Sequence, residues 1–310
     1  MTQREKMQDF ERAKTQIIAI MQQFVADCRN EIVNELFAKT SQGKMLRSKL
    51  LLAVSGISEE ALKLCAIIEL IQSASLLHDD VIDNAHTRRK SPSLNALFGN
   101  KNAIMLGDVL YAKAFFELSA YERAIAKSVS DSVCRLAVGE IEDVFMAQSF
   151  NTNKMRYLQM CELKTAALIA ASAECGAILA GLDSQKYRAY GNNLGIAFQI
   201  IDDVLDITQS TEVLGKPAMS DLSEGKSTLP YIYLYERANE AQRRELLSLF
   251  GIPLSQAQEQ WLREHLQMYH CVQDSIAKAR EYALSALDSI QDEGNTQLSK
   301  IVQNMIEREF

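Results

Sequence analysis

Apolar residues return along this chain at helical spacing, and no segment keeps a strict every-second-residue alternation. Over residues 4–37, Phe10, Ile17, Ile18, Met21, Phe24, Val25, Ile32 and Leu36 mark one helical face, and Thr40-Ser41-Gln42-Gly43 breaks the run. A helix over 45–55 ends near Gly56, and Ser58 caps the next, which carries the apolar stretch 61–77. Residues 84–99, with Asn84, Ser91, Pro92, Ser93 and Gly99, read as a loop holding one short helix. Further helices are predicted over 101–127, 129–149, 154–181 (after the turn Asn151-Thr152-Asn153) and 184–208 (capped by Asp183 or Ser184). A polar loop bearing Gly and Lys covers 209–227, and the remainder is helical, broken near Gly251-Ile252-Pro253. The stretches 62–77, 101–118, 164–181 and 190–205 are apolar nearly all round, as central helices wrapped by others are. The expectation is an all-α chain forming one large helical bundle over residues 1–310.

Composition agrees: 47% of residues are hydrophobic, and only 13 are Gly and 4 Pro, fewer turn residues than a sheet-rich chain of this size uses. The net charge of −7 argues against nucleic acid as a partner, although it leaves room for a local basic pocket. The six cysteines form no C-x-x-C pair and read as reduced core thiols. No uninterrupted apolar run approaches the roughly 18 residues of a membrane span. The charged start Met1-Thr2-Gln3-Arg4-Glu5-Lys6 leads into an amphipathic helix rather than a signal core, so the expected location is the cytoplasm.

Two sequences carry chemistry. Leu76-Leu77-His78-Asp79-Asp80-Val81-Ile82-Asp83 places Asp79 and Asp83 one helical turn apart on one face, with Asp80 about 100° round. Three carboxylates would then converge at the end of an apolar helix. Like charges at that spacing repel, and a hard dication with oxygen ligands offsets the repulsion. Asp202-Asp203-Val204-Leu205-Asp206 repeats the spacing after the apolar run 195–201. One such cluster is ordinary surface; two, each ending a buried helix, point to Mg²⁺ and a diphosphate. Several Mg²⁺ ions around one diphosphate would neutralise charge as its carbon–oxygen bond breaks. His78 and His86 read as packing or contacts to the first cluster.

With these clusters the chain resembles the trans-type isoprenyl diphosphate synthases, most of all the medium- and long-chain polyprenyl (octaprenyl-type) members. The resemblance implies a helical bundle of the isoprenoid synthase type with a central cavity, and a homodimer. Gln42-Gly43-Lys44-Met45-Leu46-Arg47-Ser48 resembles the family segment G-G-K-R-x-R-P, which implies that Lys44 and Arg47 bind isopentenyl diphosphate. Gln42, Met45 and Ser48 depart from it, and Gln72 stands where the family usually has histidine. The resemblance further implies that Arg88 meets the allylic diphosphate and Arg89 the isopentenyl one, a task that suits guanidinium forks. It places Lys164, Thr165, Gln199, Lys216 and Lys226 around the allylic diphosphate. Asp79, Asp80, Asp83, Asp202, Asp203 and Asp206 are the implied Mg²⁺ ligands. The catalytic set the resemblance implies is Asp79, Asp80, Asp83, Arg88, Lys164, Asp202 and Lys216, and the loop 209–227 is expected to form a lid over the diphosphate.

Chain length depends on what lies beneath the first cluster. Ala74 and Ser75, about one turn before Asp79, are small where short-chain relatives carry a bulky aromatic. The expected reaction is therefore condensation of isopentenyl diphosphate with an allylic prenyl diphosphate to a product longer than fifteen carbons. Leu110, Phe115 and Phe116 are candidates for a lower floor. A farnesyl- or geranylgeranyl-type short-chain synthase and a non-catalytic partner subunit stay open as alternatives. A terpene cyclase fits poorly with a second D-D-x-x-D and with Lys44 and Arg47.

Overall fold

Helix α1 (Gln3–Ala26) stops at a break that the apolar spacing hides: Arg29 takes a left-handed φ of 52°, and the Asn30 side chain accepts from Val33 N–H at 3.1 Å to cap α2 (Glu31–Ala38). An Asn side chain gives the backbone an alternative partner, so one predicted helix becomes two. The computed structural model describes residues 3–209 and 219–306, with side chains from Asp9 onward. Within them the chain is helical apart from one two-stranded hairpin, β1 (Thr87–Arg88) with β2 (Ser91–Pro92). The all-α expectation holds.

The chain divides into two compact units. The first comprises 1–133 and 171–185, the second 134–170 and 186–310.

In the first unit α3 (Leu46–Ser55) leads to α4 (Glu59–Ile82), followed by the hairpin, α5 (Leu94–Phe98) and α6 (Asn100–Leu118). Ser58 caps α4 as its sequence predicts, accepting from Ala61 N–H at 3.1 Å, with Glu59 and Glu60 at the positive end of the helix. Leu64, Ile67, Ile68, Leu70 and Ile71 on α4 are fully enclosed, and α1, α3 and α6 all pack on this helix. It is the pillar of the unit, and its C-terminal turn carries the first aspartate cluster. The neighbouring α6 is not wrapped as expected: Met105 and Phe116 stand open, Phe116 at 69% exposure. Phe116 lies under the Lys113 ammonium and is no part of a floor inside the unit.

The second unit holds the later part of α7 (Arg123–Met146), α8 (Lys154–Cys161), the start of α9 (Ala167–Ala180) and most of α10 (Ser184–Thr208). A short helix, Ser220–Ser223, and the helices Leu229–Arg237, Glu240–Ser248, Gln256–Met268, Cys271–Ser289 and Thr296–Ile306 complete it. One apolar cluster joins Tyr157, Ile196, Ile200, Leu229 and Ile232; a second gathers around Tyr231, Leu234, Leu246 and Leu262. Between α8 and α9, Glu162–Ala166 forms a π-helical turn where the sequence predicts one uniform helix.

Two stretches, Glu59–Ile82 and Lys154–Ala180, have the length and hydropathy to cross a membrane, although no apolar run in them is uninterrupted. In both, 72% of the apolar window is buried inside the chain, as the core role requires.

Candidate functional site

The last turn of α4 places Asp79 and Asp80 side by side, and Asp83 is its C-cap, donating its backbone N–H to the Asp79 carbonyl at 2.8 Å. Arg88 closes over the pair. Its Nε donates to Asp80 Oδ1 at 2.7 Å, its Nη2 donates to Asp79 Oδ2 at 3.1 Å, and Nη2 also pairs with Asp80. Burial raises the Asp80 acid; Arg88 pulls it back, while Asp79 and Asp83 push it further up. Burial also opposes the Arg88 charge, yet hydrogen bonds and charge from Asp80 and Asp79 outweigh it and raise Arg88. Asn95 Nδ2 ties the region down, donating to the Asp80 and Ala85 carbonyls at 3.1 and 3.0 Å.

Arg88 is aimed by an uncommon turn. Arg88 pairs with Ser91 across the hairpin, so Arg89 and Lys90 form a two-residue loop with φ of 53° and 65°. Such loops favour Asn-Gly; two long side chains in left-handed backbone store strain of about 1 kcal/mol or more each. The turn sends the neighbouring arginines apart. Arg89 Nη1 donates to the Ser41 carbonyl at 2.9 Å, and its guanidinium crosses Gly43 so closely that a Cβ there would stand 2.7 Å from Nη2. A side chain at residue 43 would make the Arg89 guanidinium shift, which the end of a flexible side chain can do.

The basic segment lies in the same unit. Lys44 is exposed, and Met45 is a buried, left-handed N-cap of α3 that anchors the segment in the core. Arg47 is half-buried, with an enclosed Nε that has no hydrogen-bond partner. Burial pushes its pKa down to about 10, Glu69 opposing this and Arg89 adding to it. Gln72 has an enclosed Oε1, also without a partner. Gln72 follows Glu69 by one turn on the same face of α4, and Glu69 acts electrostatically on both Arg47 and Arg89. Enclosed polar groups without partners are uncommon; the Arg47 Nε donor suits an anion, whereas the Gln72 Oε1 acceptor calls for a donor.

The second cluster belongs to the second unit, and its three carboxylates differ. Asp202 is exposed. Asp203 is buried and accepts at both oxygens: from Tyr157 Oη at 2.5 Å and from Gln199 Nε2 at 2.7 Å. Burial holds its acid well above the usual range, followed in effect by the nearby Asp221 carboxylate. Asp206 accepts from Ser220 Oγ at 2.9 Å and from Asp221 N–H at 3.1 Å, capping the short helix Ser220–Ser223. Thr165 Oγ1 donates to Gln199 Oε1 at 2.5 Å, and Lys164 Nζ sits between Asp143 (2.7 Å) and Glu140 (2.9 Å). The π turn lifts Lys164 and Thr165 out of α-helical register, a device frequent at functional sites. Lys226 pairs with Glu224 at 2.8 Å. Lys216 lies outside the described residues.

Among the described residues no three His, Cys, Asp or Glu side chains converge on one metal-sized point. The expected three-carboxylate convergence is absent because Asp79 and Asp80 turn to Arg88 and Asp83 sits beyond the helix end. The donor set still fits Mg²⁺, which binds through one or two carboxylates and takes its other ligands from phosphate and water. Arg88, bonded to both carboxylates, already shows a cation held there.

Ala74 is fully enclosed on α4, and the Ser75 hydroxyl folds back to the Gln72 carbonyl at 2.9 Å. His78 packs on Gly107, with Nε2 3.1 Å from the Ile104 carbonyl. Sequence reading missed Glu69, Tyr157, Asp143 and Asp221. Only the i, i+3 spacing of Glu140 and Asp143 on α7 offered a local signal.

The polyprenyl synthetase family profile matches residues 30–268. The short chain isoprenyl diphosphate synthase of Methanothermobacter thermautotrophicus is 39% identical over 224 residues, 68% of this chain and 69% of that protein. Octaprenyl pyrophosphate synthase from Helicobacter pylori superposes with a TM-score of 0.92 at 46% identity, covering 96% of this chain and 99% of that one. A polyprenyl synthase from Caulobacter crescentus, solved with calcium and isoprenyl diphosphate, superposes at 0.90 with 27% identity, covering 98% and 97%.

Proposed function

The chain belongs to the polyprenyl synthetase family and is a chain-elongating prenyltransferase, and from that premise we propose that it condenses isopentenyl diphosphate with an allylic prenyl diphosphate beyond fifteen carbons. One observation carries the two-substrate reading. The first unit alone holds an acidic cluster bonded to a guanidinium and, apart from it, a second cluster with Lys44, Arg89 and the enclosed Arg47 Nε, a donor with no hydrogen-bond partner, so it offers separate sites for two diphosphates.

Asp79, Asp80, Asp83 and Asp202 would hold Mg²⁺, which supplies the positive charge that makes the allylic diphosphate a leaving group. Asp203 and Asp206, expected from the resemblance as further Mg²⁺ ligands, are instead assigned to positions behind them, because their oxygens already accept from Tyr157 and Gln199 and from Ser220 and Asp221. Arg88, Lys164, Thr165, Gln199, Lys216 and Lys226 bind the allylic diphosphate; Lys44, Arg47, Gln72 and Arg89 bind the isopentenyl one. The released diphosphate is the base for the proton lost by the isopentenyl unit, so no side chain is assigned that task.

Product length is read from Ala74 and Ser75, both small, and from the 46% identity to an octaprenyl synthase. Chromatography of labelled products from farnesyl and isopentenyl diphosphates is expected to show chains above twenty carbons from the purified chain alone. A product stopping at fifteen or twenty carbons overturns the length; no product without a partner overturns the self-sufficient enzyme. Ser75→Phe is expected to shorten the product while leaving the first condensation largely intact, and unchanged length rejects the tunnel at this level.

A homodimer and a cytoplasmic location complete the reading. On α7, Val138, Ile141, Val144 and Phe145 form an apolar stripe, each 44–58% exposed, as a face covered by a second copy would. Ile141→Glu is expected to shift the sedimenting species from dimer to monomer; a monomeric parent chain overturns the assignment.

A further inference from the structure

Glu69 is a buried carboxylic acid that the proposed reaction does not use. It lies on α4 at 7% exposure, and its Oε1 accepts from Ser48 Oγ at 2.6 Å and from the Ser48 N–H at 3.4 Å. Ser48 is fully enclosed, and its carbonyl accepts from Cys65 Sγ at 3.7 Å. Burial raises the Glu69 acid, while Ser48, Arg47 and Arg89 all lower it. Its charge reaches both guanidiniums, yet among the described residues no ion pair joins it to either. The Arg47 Nε beside it remains enclosed and without a hydrogen-bond partner.

Ser48 stands where the family segment ends in proline, and proline brings neither the hydroxyl nor the N–H that Ser48 gives to Glu69. We propose that Glu69 is a positioning residue of the isopentenyl diphosphate site, held back from Arg47 by Ser48 so that the guanidinium keeps its donors for the incoming diphosphate. A buried guanidinium is costly alone, and a fixed carboxylate nearby offsets that cost through space. A direct pair between the two would offset more, but it would occupy the donors that bind substrate. Ser48 opposes that collapse by fixing Oε1 through both its hydroxyl and its N–H. Glu69 also accepts a first-turn N–H of α3, whose N-cap Met45 makes no side-chain cap bond. That capping role alone affects stability and leaves substrate selectivity unchanged.

The inference rests on the reading that Arg47 binds isopentenyl diphosphate, and one experiment separates the two. Steady-state constants for both substrates are measured for Ser48→Ala, Glu69→Gln, the double variant and Arg47→Ala, with thermal melts alongside. Ser48→Ala is expected to raise the isopentenyl diphosphate KM about tenfold at nearly unchanged kcat and unchanged allylic KM. Glu69→Gln, nearly isosteric, raises the same KM, and the double variant is no worse than Glu69→Gln. An unchanged isopentenyl KM in Ser48→Ala, equal rises for both substrates, or full additivity in the double variant overturns the proposal. If Ser48→Ala does not fold, Glu69→Gln decides by whether its KM effect is confined to isopentenyl diphosphate. If Arg47→Ala leaves that KM unchanged, it is the site assignment that fails.

Discussion

Asp79→Ala and Asp202→Ala are each expected to lower kcat by about three orders of magnitude, the equivalent of roughly 4 kcal/mol of lost transition-state stabilisation. The reason is charge. Leaving diphosphate gathers negative charge as the carbon–oxygen bond opens, and Mg²⁺ held by these carboxylates as proposed would offset that charge most in the transition state. Asp79 also receives Arg88 Nη2, so its removal loosens the arginine proposed to bind the same diphosphate. KM for isopentenyl diphosphate should move little, because its proposed ligands sit around Arg47 and Arg89. Asp206→Ala should behave differently. Its oxygens hold Ser220 Oγ and Asp221 N–H, so truncation leaves two buried donors unpaired and costs about 2–4 kcal/mol of stability. Steady-state rates at saturating Mg²⁺, with thermal melts of each variant, separate these outcomes. Near-normal Mg²⁺-dependent turnover in Asp79→Ala or Asp202→Ala would falsify the metal assignment.

Much of the helical frame was legible because its signals are local. Ser58, the apolar run behind it and the aspartates at its end predict α4 closely, and Ser184–Thr208 appears with its predicted bounds. What spacing cannot show is which partner a side chain takes across the fold. Asp202, Asp203 and Asp206 look equivalent in sequence. Tyr157, Ser220 and Asp221, distant along the chain, make two of them part of the hydrogen-bonded interior. The Arg89–Lys90 turn has neither Gly nor Asn to announce its left-handed backbone. Glu69 is one acidic residue in an apolar helix until Ser48 is seen to meet it. The α1–α2 break and the π turn were missed for a related reason: apolar periodicity continues through both.

Gly139→Ala is expected to cost about 1–3 kcal/mol of stability, as overpacking a closed contact does, and to lower kcat about a hundredfold. A Cβ at Gly139 would stand 2.4 Å from the Lys164 nitrogen, 2.7 Å from its Cα and 2.8 Å from the Leu163 carbonyl carbon, all backbone atoms. No side chain can turn aside to relieve that collision, so α7 and the π turn must separate. The same stretch of α7 supplies Glu140 and Asp143, which hold the Lys164 ammonium. Moving the turn therefore displaces Lys164 together with Thr165, and with Thr165 the hydrogen bond to Gln199. A shift of about 1 Å in groups proposed to bind the reacting diphosphate is worth about a hundredfold in rate. Lys164→Ala is the control: it should lose comparable activity with the backbone contact kept, and its melt measures the separate cost of leaving Glu140 and Asp143 without their cation. Gly139→Ala with parental melting and parental kcat would show that α7 and the π turn have room for a methyl group, and that the position of Lys164 does not depend on their close approach.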